Sequence, residues 1–126
     1  MRENYNNGQW TQGRFRGFIA SALRAAMRGW IPKYDAKKVA LVGRRLNPKT
    51  GKLAQHFECA SCKQAFVDKD VQVDHKNPVV DPKVGFVDWE TYMDRLYCEV
   101  SNLQVLCKKC HKEKTASERL LRKKKE

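Results

Sequence analysis

Apolar residues recur along the first third of the chain with the period of a helix. Between residues 14 and 30 this spacing predicts an amphipathic helix whose apolar side packs in the core. Pro32 is expected to end that helix, because its ring blocks the preceding turn. A second short helix is predicted from Asp35, as N-cap, to about Arg44. Its expected buried residues are Val39, Ala40 and Val42.

Strand-like alternation takes over in the second half of the chain. Two short strand signals flank a turn at residues 59–62, and longer ones cover residues 71–75 and 102–107. A helix is expected after the last strand, with a capping-box pattern at Thr115 that predicts a restart or kink. Asp88 is expected to cap a short helix inserted between the two longer strands. The pattern as a whole predicts an α+β protein.

The distribution of charge indicates a polyanionic partner. The 126 residues carry a net charge of +12. Residues 1–56 hold 12 basic and 2 acidic residues, residues 57–107 hold 5 and 9, and residues 108–126 hold 9 and 3. Basic flanks around a mildly acidic centre are typical of a nucleic-acid clamp around a cation site. The alternatives are a membrane surface as partner, or charges that only solvate the protein surface.

The cysteines add a candidate metal site. Four of the five form two CxxC pairs with 44 residues between them. These pairs are Cys59 with Cys62 and Cys107 with Cys110. In a chain without an export signal they predict one closed, structural zinc site rather than disulfides. His56 is a less favoured ligand because four thiolates complete the site, and Cys98 is expected to be a small buried apolar residue.

A second group of polar residues lies where the longer strands meet the last helix. Asp74 and His75 end one strand, and His111 lies at the start of the helix. Two strands leading into a helix would bring these three side chains together. Carboxylate and imidazole groups bind divalent cations, and a histidine outside the coordination shell can act as a general base. A cation, a base and a basic protein suggest metal-assisted phosphodiester cleavage.

The order of these residues resembles the HNH endonuclease family, also called the ββα-metal nucleases. The pattern is Asp74-His75, then Asn102, then His111. One CxxC pair precedes it, and the other lies between Asn102 and His111. The resemblance covers about residues 57–117, roughly half of the chain. It implies a ββα-metal motif stabilised by the four-Cys zinc site, with N-terminal helices and a short helical insertion between the motif strands.

The resemblance also implies a role for each residue of the motif. Asp74 and His111 are expected to bind one catalytic cation (Mg²⁺, Mn²⁺ or Ni²⁺), and His75 is expected to take a proton from the attacking water. Asn102 is expected to tie the motif strands together by hydrogen bonds, the alternative being contact with the metal. Lys114 is expected to meet a phosphate, unless it is only a surface lysine. A place for His111 in the zinc shell is the less favoured alternative.

The expected substrate is double-stranded DNA, bound with weak sequence specificity because the chain has no helix-turn-helix or similar module. Expected DNA contacts are Lys114, Arg16, Arg24, Arg28 and Lys76. Trp89 is expected either to pack on the core or to approach DNA. Similar small proteins encoded by bacteriophages act in homing or genome packaging, which makes a phage terminase or another packaging protein a candidate partner. The alternative function is a non-catalytic, zinc-stabilised nucleic-acid-binding module.

Four segments are predicted: a flexible arm at residues 1–13, a basic helical region at 14–56, the nuclease core at 57–118 and a basic tail at 119–126. A single motif copy favours a monomer that nicks one strand. No apolar run approaches the ~18 residues of a membrane span, and the first residues lack an apolar signal-peptide core. The expected location is therefore the cytoplasm, of a bacterial host if the protein is phage-encoded, with no membrane partner.

Overall fold

The computed structural model describes residues 4–125, and its helices and small antiparallel sheets confirm the α+β class. The helices are α1 (Gln12–Ala26), α2 (Ile31–Ala40), α3 (Trp89–Leu96) and α4 (Lys108–Lys125). The strands are β1 (Leu41–Asn47), β2 (Lys52–Glu58), β3 (Ala65–Val67), β4 (Val71–His75) and β5 (Leu103–Cys107). The chain divides into two compact units, one up to Trp30 and one from Ile31 onward. None of the helices described here is long and apolar enough to cross a membrane.

The first unit is a tight turn followed by α1. Tyr5 and Trp10 pair across the turn as an antiparallel bridge, and the Tyr5 ring stacks on Phe15 of α1 with ring centroids 4.0 Å apart. The turn residues Asn6 and Asn7 have φ values of 55° and 54°, a left-handed conformation that asparagine tolerates better than most residues. Part of the segment predicted as an arm is thus packed on the helix. Residues 1–3 of that segment lie outside the described residues.

Helix α1 is present where the apolar period predicted a helix. Thr11 caps it by accepting a hydrogen bond from the Arg14 backbone N–H at 3.2 Å. The prediction that its apolar side is buried is wrong, however: no residue of α1 is buried, and Phe18 is 57% exposed. Among the described residues of its own unit, the helix has two short turns beside it, one before Gln12 and one after Ala26, and these leave every residue of the helix at least partly exposed.

The second helix differs from its prediction at both ends. It begins at Ile31 and places Pro32 in its first turn, where the missing N–H has no intrahelical partner to lose. Asp35 therefore lies inside α2 rather than at its N-cap. The helix ends at Ala40, and the one residue it buries is Ala36.

Strands β1 and β2 occupy the end of the region that was predicted to be helical. Val42 belongs to β1 and is 39% exposed, and Val39 before it is 81% exposed, so the predicted burial of both is wrong. The turn between the strands is built on Asn47, whose carbonyl accepts from the Gly51 N–H at 2.8 Å and whose side chain accepts from the Lys49 N–H at 3.0 Å. Residues 47–51 thus close a hairpin.

The second sheet pairs β4 with β5, as the strand signals predicted. The two strands are antiparallel, with Val71 opposite Cys107 and His75 opposite Leu103. Four of the ten buried hydrophobic residues in the described part of the chain lie on β5, and α2 and α4 both contact this strand. Its buried residues are Leu103, Val105, Leu106 and Cys107.

The helices after β4 follow their predictions with one exception. Asp88 caps α3 by accepting from the Thr91 N–H at 2.7 Å, as expected. Helix α4 starts directly after β5 and continues through Thr115, so the predicted restart is wrong. The Thr115 hydroxyl instead donates to the His111 carbonyl at 3.0 Å, one turn back in the same helix. Cys98 is half-buried rather than buried.

Candidate functional site

The first CxxC pair lies in a tight knuckle between β2 and β3. The Cys59 N–H donates to the Gln64 carbonyl, and the Lys63 N–H donates to the Cys59 carbonyl, both at 2.9 Å. Lys63 has a φ of 64°, the left-handed backbone that lets the chain reverse over so few residues. The Ala60 N–H donates to the Val105 carbonyl at 2.8 Å, which fastens the knuckle to β5.

The knuckle brings its cysteines to the second pair at the junction of β5 and α4. One sulfur atom from each of the four cysteines forms a group in which all pairs lie within 4.8 Å. Their residues are Cys59, Cys62, Cys107 and Cys110. A tetrahedral zinc ion with Zn–S bonds of about 2.3 Å needs sulfur–sulfur edges of about 3.8 Å, so small side-chain adjustments suffice. The four cysteines could therefore bind a metal such as zinc, which leaves His56 outside the group, with its Nδ1 2.9 Å from the Ala54 carbonyl.

The thiols of this group have pKa values displaced in opposite directions. Burial raises the pKa of Cys59, but hydrogen bonds from the backbone at Cys107, Cys62 and Ser61 outweigh it and bring that pKa down to about 6. The neighbouring sulfur of Cys107 raises the pKa of Cys110 to about 12. Closely spaced thiols compete in this way because one thiolate disfavours the next. A cation among them would allow all four to ionise.

A second polar cluster surrounds Asp74 on the side of β4 that faces α4. The His111 Nε2 atom lies 3.7 Å from Asp74 Oδ1, and the Gln104 side-chain amide donates to Asp74 Oδ2 at 3.2 Å. Gln104 is the residue directly opposite Asp74 in the strand pair. The Asp74 side chain is 14% exposed and that of His111 is 32% exposed, so both are sheltered but reachable from solvent.

Lys114 closes this cluster one turn further along α4. Its ammonium lies 3.1 Å from Asp74 Oδ2, 2.6 Å from Glu118 Oε1 and 2.9 Å from the His75 carbonyl. Burial lowers the pKa of Lys114, but its hydrogen bonds to Glu118 and Asp74 and their charges raise it above its ordinary value. The lysine expected to meet a phosphate thus contacts three protein oxygens here.

His75 lies beside this cluster but makes a different contact. Its Nε2 atom is 2.7 Å from the Leu96 carbonyl in the last turn of α3. A carbonyl oxygen can only accept a hydrogen bond, so Nε2 carries the hydrogen and Nδ1 keeps its lone pair in the neutral ring. Asp74 and His75 contact different elements, in agreement with the alternation of side chains along a strand.

Asn102 joins the residues that follow β4 to those that precede β5. Its side-chain oxygen accepts from the Asn77 N–H at 3.1 Å, and its carbonyl accepts from the Lys76 N–H at 2.8 Å. Arg95 holds the same loop from the other side by donating twice to the Pro78 carbonyl, at 2.9 and 2.5 Å. The end of β4 is therefore fixed by two side chains that come from different elements.

The candidate DNA contacts are divided between the two units. Arg16, Arg24 and Arg28 belong to the first unit, where Arg24 and Arg28 are exposed and Arg16 is half-buried. Lys76 is exposed directly after β4. Trp89 packs edge-on against Phe86, with ring centroids 4.9 Å apart.

Comparisons of the chain with protein-family models, with curated proteins and with solved structures found no match. The residues themselves therefore carry the functional argument.

Sequence reasoning missed several members of the second cluster. Gln104 had a signal, because antiparallel pairing of residues 71–75 with residues 103–107 places it directly opposite Asp74. A weaker signal pointed to Glu118, because residues four apart on a helix lie on the same face and Glu118 follows Lys114 by four positions. No sequence signal predicted the contact of His75 with the Leu96 carbonyl. The contact involves a backbone oxygen 21 residues after His75, and side-chain patterns do not predict backbone contacts at that separation.

Proposed function

We propose that the protein is a metal-dependent DNA endonuclease of the HNH type. The observation that carries the proposal is the pair formed by Asp74 and His111, 3.7 Å apart, with His75 next to Asp74 in the chain and anchored on a backbone carbonyl. A carboxylate and an imidazole on one side of a hairpin, beside a histidine with an unprotonated nitrogen, support hydrolysis assisted by a cation.

The donor set suits one divalent cation. Asp74 offers a carboxylate oxygen and His111 offers a ring nitrogen, a combination that Mg²⁺, Mn²⁺ and Ni²⁺ accept. Two protein ligands leave positions for water and for a phosphate oxygen of the substrate. When bound, the cation would stabilise negative charge on the phosphorane and on the leaving oxygen. In this proposal the two strands and the helix β4–β5–α4 form a ββα-metal motif.

His75 is the proposed general base. Nε2 donates to the Leu96 carbonyl, which leaves Nδ1 to accept a proton from a water molecule. The water oxygen forms a bond to phosphorus as the bond between phosphorus and the 3′ oxygen breaks. The leaving 3′ oxygen then takes a proton from solvent. The products carry 5′-phosphate and 3′-hydroxyl ends.

The four-Cys group would have a structural role in this enzyme. Four thiolates leave no open position on a tetrahedral zinc ion, so the zinc would not bind substrate. Through Cys107 and Cys110 it would hold the junction of β5 and α4, one residue before His111. Asn102 would orient the base by its bonds to the loop after His75.

The substrate in this proposal is double-stranded DNA, cut with weak sequence specificity by a monomer that nicks one strand. Basic residues on both sides of the acidic centre support it. The other candidate phosphate contacts are Lys76, Arg16, Arg24 and Arg28. If the cation displaced the Lys114 ammonium from Asp74, Lys114 would also be available to contact a phosphate. A role in phage homing or genome packaging, with a terminase as partner, is an extension of this proposal.

A non-catalytic nucleic-acid-binding module is the second candidate. One observation favours it: Asp74 already has a cationic partner in Lys114, as in an ordinary structural ion pair. This candidate accounts for the cysteines and the positive charge, but it assigns no role to His75 and His111.

Relaxation of a supercoiled plasmid separates the two candidates. The zinc-loaded protein would be incubated with Mg²⁺, Mn²⁺, Ni²⁺ or no added metal, beside His75→Ala protein of equal zinc content. Nicking that depends on the added metal and is lost in a variant that still binds DNA would support the endonuclease. Equal nicking by both proteins would refute the base assignment. DNA binding without nicking by either protein would favour the binding module.

A further inference from the structure

The outer part of the β1–β2 hairpin extends beyond the sheet that holds its base. Strand β3 pairs with β2 only at His56, Phe57 and Glu58. Residues 44–47 and 52–55 pair only with each other and form a two-stranded ribbon. Only Asn47 of this ribbon is buried, and it serves the turn.

The ribbon carries a strong and one-signed charge. Arg44, Arg45, Lys49 and Lys52 are all exposed, and no acidic residue occurs between Leu41 and Phe57. In an isolated surface hairpin, residues of opposite charge commonly face each other across the strands. Here the cross-strand neighbours of Arg44 and Arg45 are Gln55 and Ala54, so neither arginine meets a carboxylate across the ribbon.

One face of the ribbon also exposes two leucines. Leu46 and Leu53 are direct cross-strand neighbours, 60% and 61% exposed. Because side chains alternate along a strand, this pair shares its face with Arg44 and Gln55. An exposed apolar pair beside an arginine offers apolar contact area next to a positive charge on one face of the ribbon.

We propose that this ribbon enters a groove of double-stranded DNA. A two-stranded β-ribbon fits a major groove about 12 Å wide, and four ribbon pairs at about 3.3 Å per residue reach roughly 13 Å from the sheet. The charge complementarity with phosphates selects nucleic acid over a protein partner. The leucine pair contacts thymine methyl groups or base edges, and the arginines contact the flanking phosphates or guanine edges.

This inference deepens the proposed function, since it names the surface that holds the substrate, but it is tested by binding alone. The full-length, zinc-loaded protein is titrated into a fluorescent 25-base-pair duplex, with no Mg²⁺, Mn²⁺ or Ni²⁺ added, at several salt concentrations. The first variant is Arg44→Glu with Arg45→Glu. Its matched control is Lys69→Glu with Lys83→Glu, which changes the net charge equally at exposed residues of other loops. Zinc content and circular dichroism verify that each protein is folded.

The ribbon variant should bind the duplex at least about tenfold more weakly, with a salt slope about two units shallower. The control should change less than about threefold. Leu46→Ser with Leu53→Ser should also weaken binding while the salt slope stays unchanged. Equal losses in the ribbon variant and in the control would overturn the inference, because net charge alone would then explain binding. Unchanged duplex binding accompanied by loss of binding to anionic phospholipid vesicles would overturn it in favour of a membrane surface.

The outcome is independent of nicking. If the wild-type protein nicks DNA and the ribbon variant binds the duplex normally, the proposed nuclease activity is supported and the proposed role of the ribbon in DNA binding is refuted. A protein that never nicks but loses duplex affinity in the ribbon variant would support the ribbon and refute the nuclease.

Discussion

The ammonium of Lys114 lies 3.1 Å from Asp74 Oδ2, within the group that is proposed to bind the catalytic cation. A lysine in this place supplies the positive charge that a sheltered carboxylate needs. Since the lysine and the cation would use the same carboxylate, each should weaken the binding of the other. Glu118 Oε1 lies 2.6 Å from the Lys114 ammonium, so the lysine would keep a carboxylate partner when the cation binds to Asp74.

Replacement of Lys114 should therefore strengthen metal binding. Lys114→Met removes a unit charge a few ångströms from the site and should tighten Mn²⁺ binding roughly five- to tenfold, measured by electron paramagnetic resonance on zinc-loaded protein. Without added Mn²⁺ the same zinc-loaded variant should unfold at a lower temperature, because Asp74 loses the ammonium of Lys114. Lys112→Met, an exposed lysine on the same helix, is the control. Unchanged or weaker Mn²⁺ binding by the Lys114 variant would contradict the competition.

Loss of one thiolate should unfold the reactive centre as well as the zinc site. Cys62→Ser leaves three sulfur ligands, and structural zinc contributes on the order of 10 kcal/mol to folding. We expect zinc content and helical circular dichroism to fall together. Cys98→Ser, outside the group, should keep both. A folded, zinc-free and active Cys62→Ser protein would refute the structural role of the metal.

Zinc binding should weaken as the pH falls, because protons compete for the thiolates. The Cys59 thiol, with its pKa lowered to about 6, is already largely ionised at pH 7.5. Fewer than four protons should therefore be released per zinc ion at that pH, measured with a pH indicator in weak buffer. Below about pH 6 this thiol is also protonated, so the release should rise by nearly one proton. Release that does not change between pH 5.5 and 7.5 would contradict the lowered pKa of Cys59.

Arg95 should act as a positioning residue for His75. Its guanidinium holds the Pro78 carbonyl, and the next residue, Leu96, presents the carbonyl that His75 contacts. Arg95→Met should loosen the last turn of α3 and allow the other ring tautomer, visible as a shift of the His75 ring nitrogens in ¹⁵N spectra at high pH. Arg95→Lys, which retains one donor, should recover part of the wild-type spectrum. An identical spectrum in Arg95→Met would mean that the tautomer does not depend on Arg95.

The parts that could be predicted from sequence are those whose cause is local. Residues 71–75 alternate over a strand length, and two CxxC pairs predict a four-cysteine group whatever lies between them. The β1–β2 hairpin was missed because Arg44, Arg45 and Leu46 face solvent on both sides, so no apolar alternation marks the strands. The contacts of Lys114 depend on how α4 lies on the hairpin β4–β5, and those of His75 depend on a backbone oxygen of α3.

The separation of the two cysteine pairs also affects the order in which the chain can assemble. Cys59 and Cys62 leave the ribosome at least 45 positions before Cys107, so a growing chain exposes half of the four-cysteine group first. Strand β5, the partner of both β4 and the knuckle, is synthesised after them as well. Closing the loop between the two cysteine pairs costs conformational entropy, and the contacts that offset this cost are those made by β5 and α4. Folding of the second unit should therefore wait until α4 has emerged, and the ion would join as its last component.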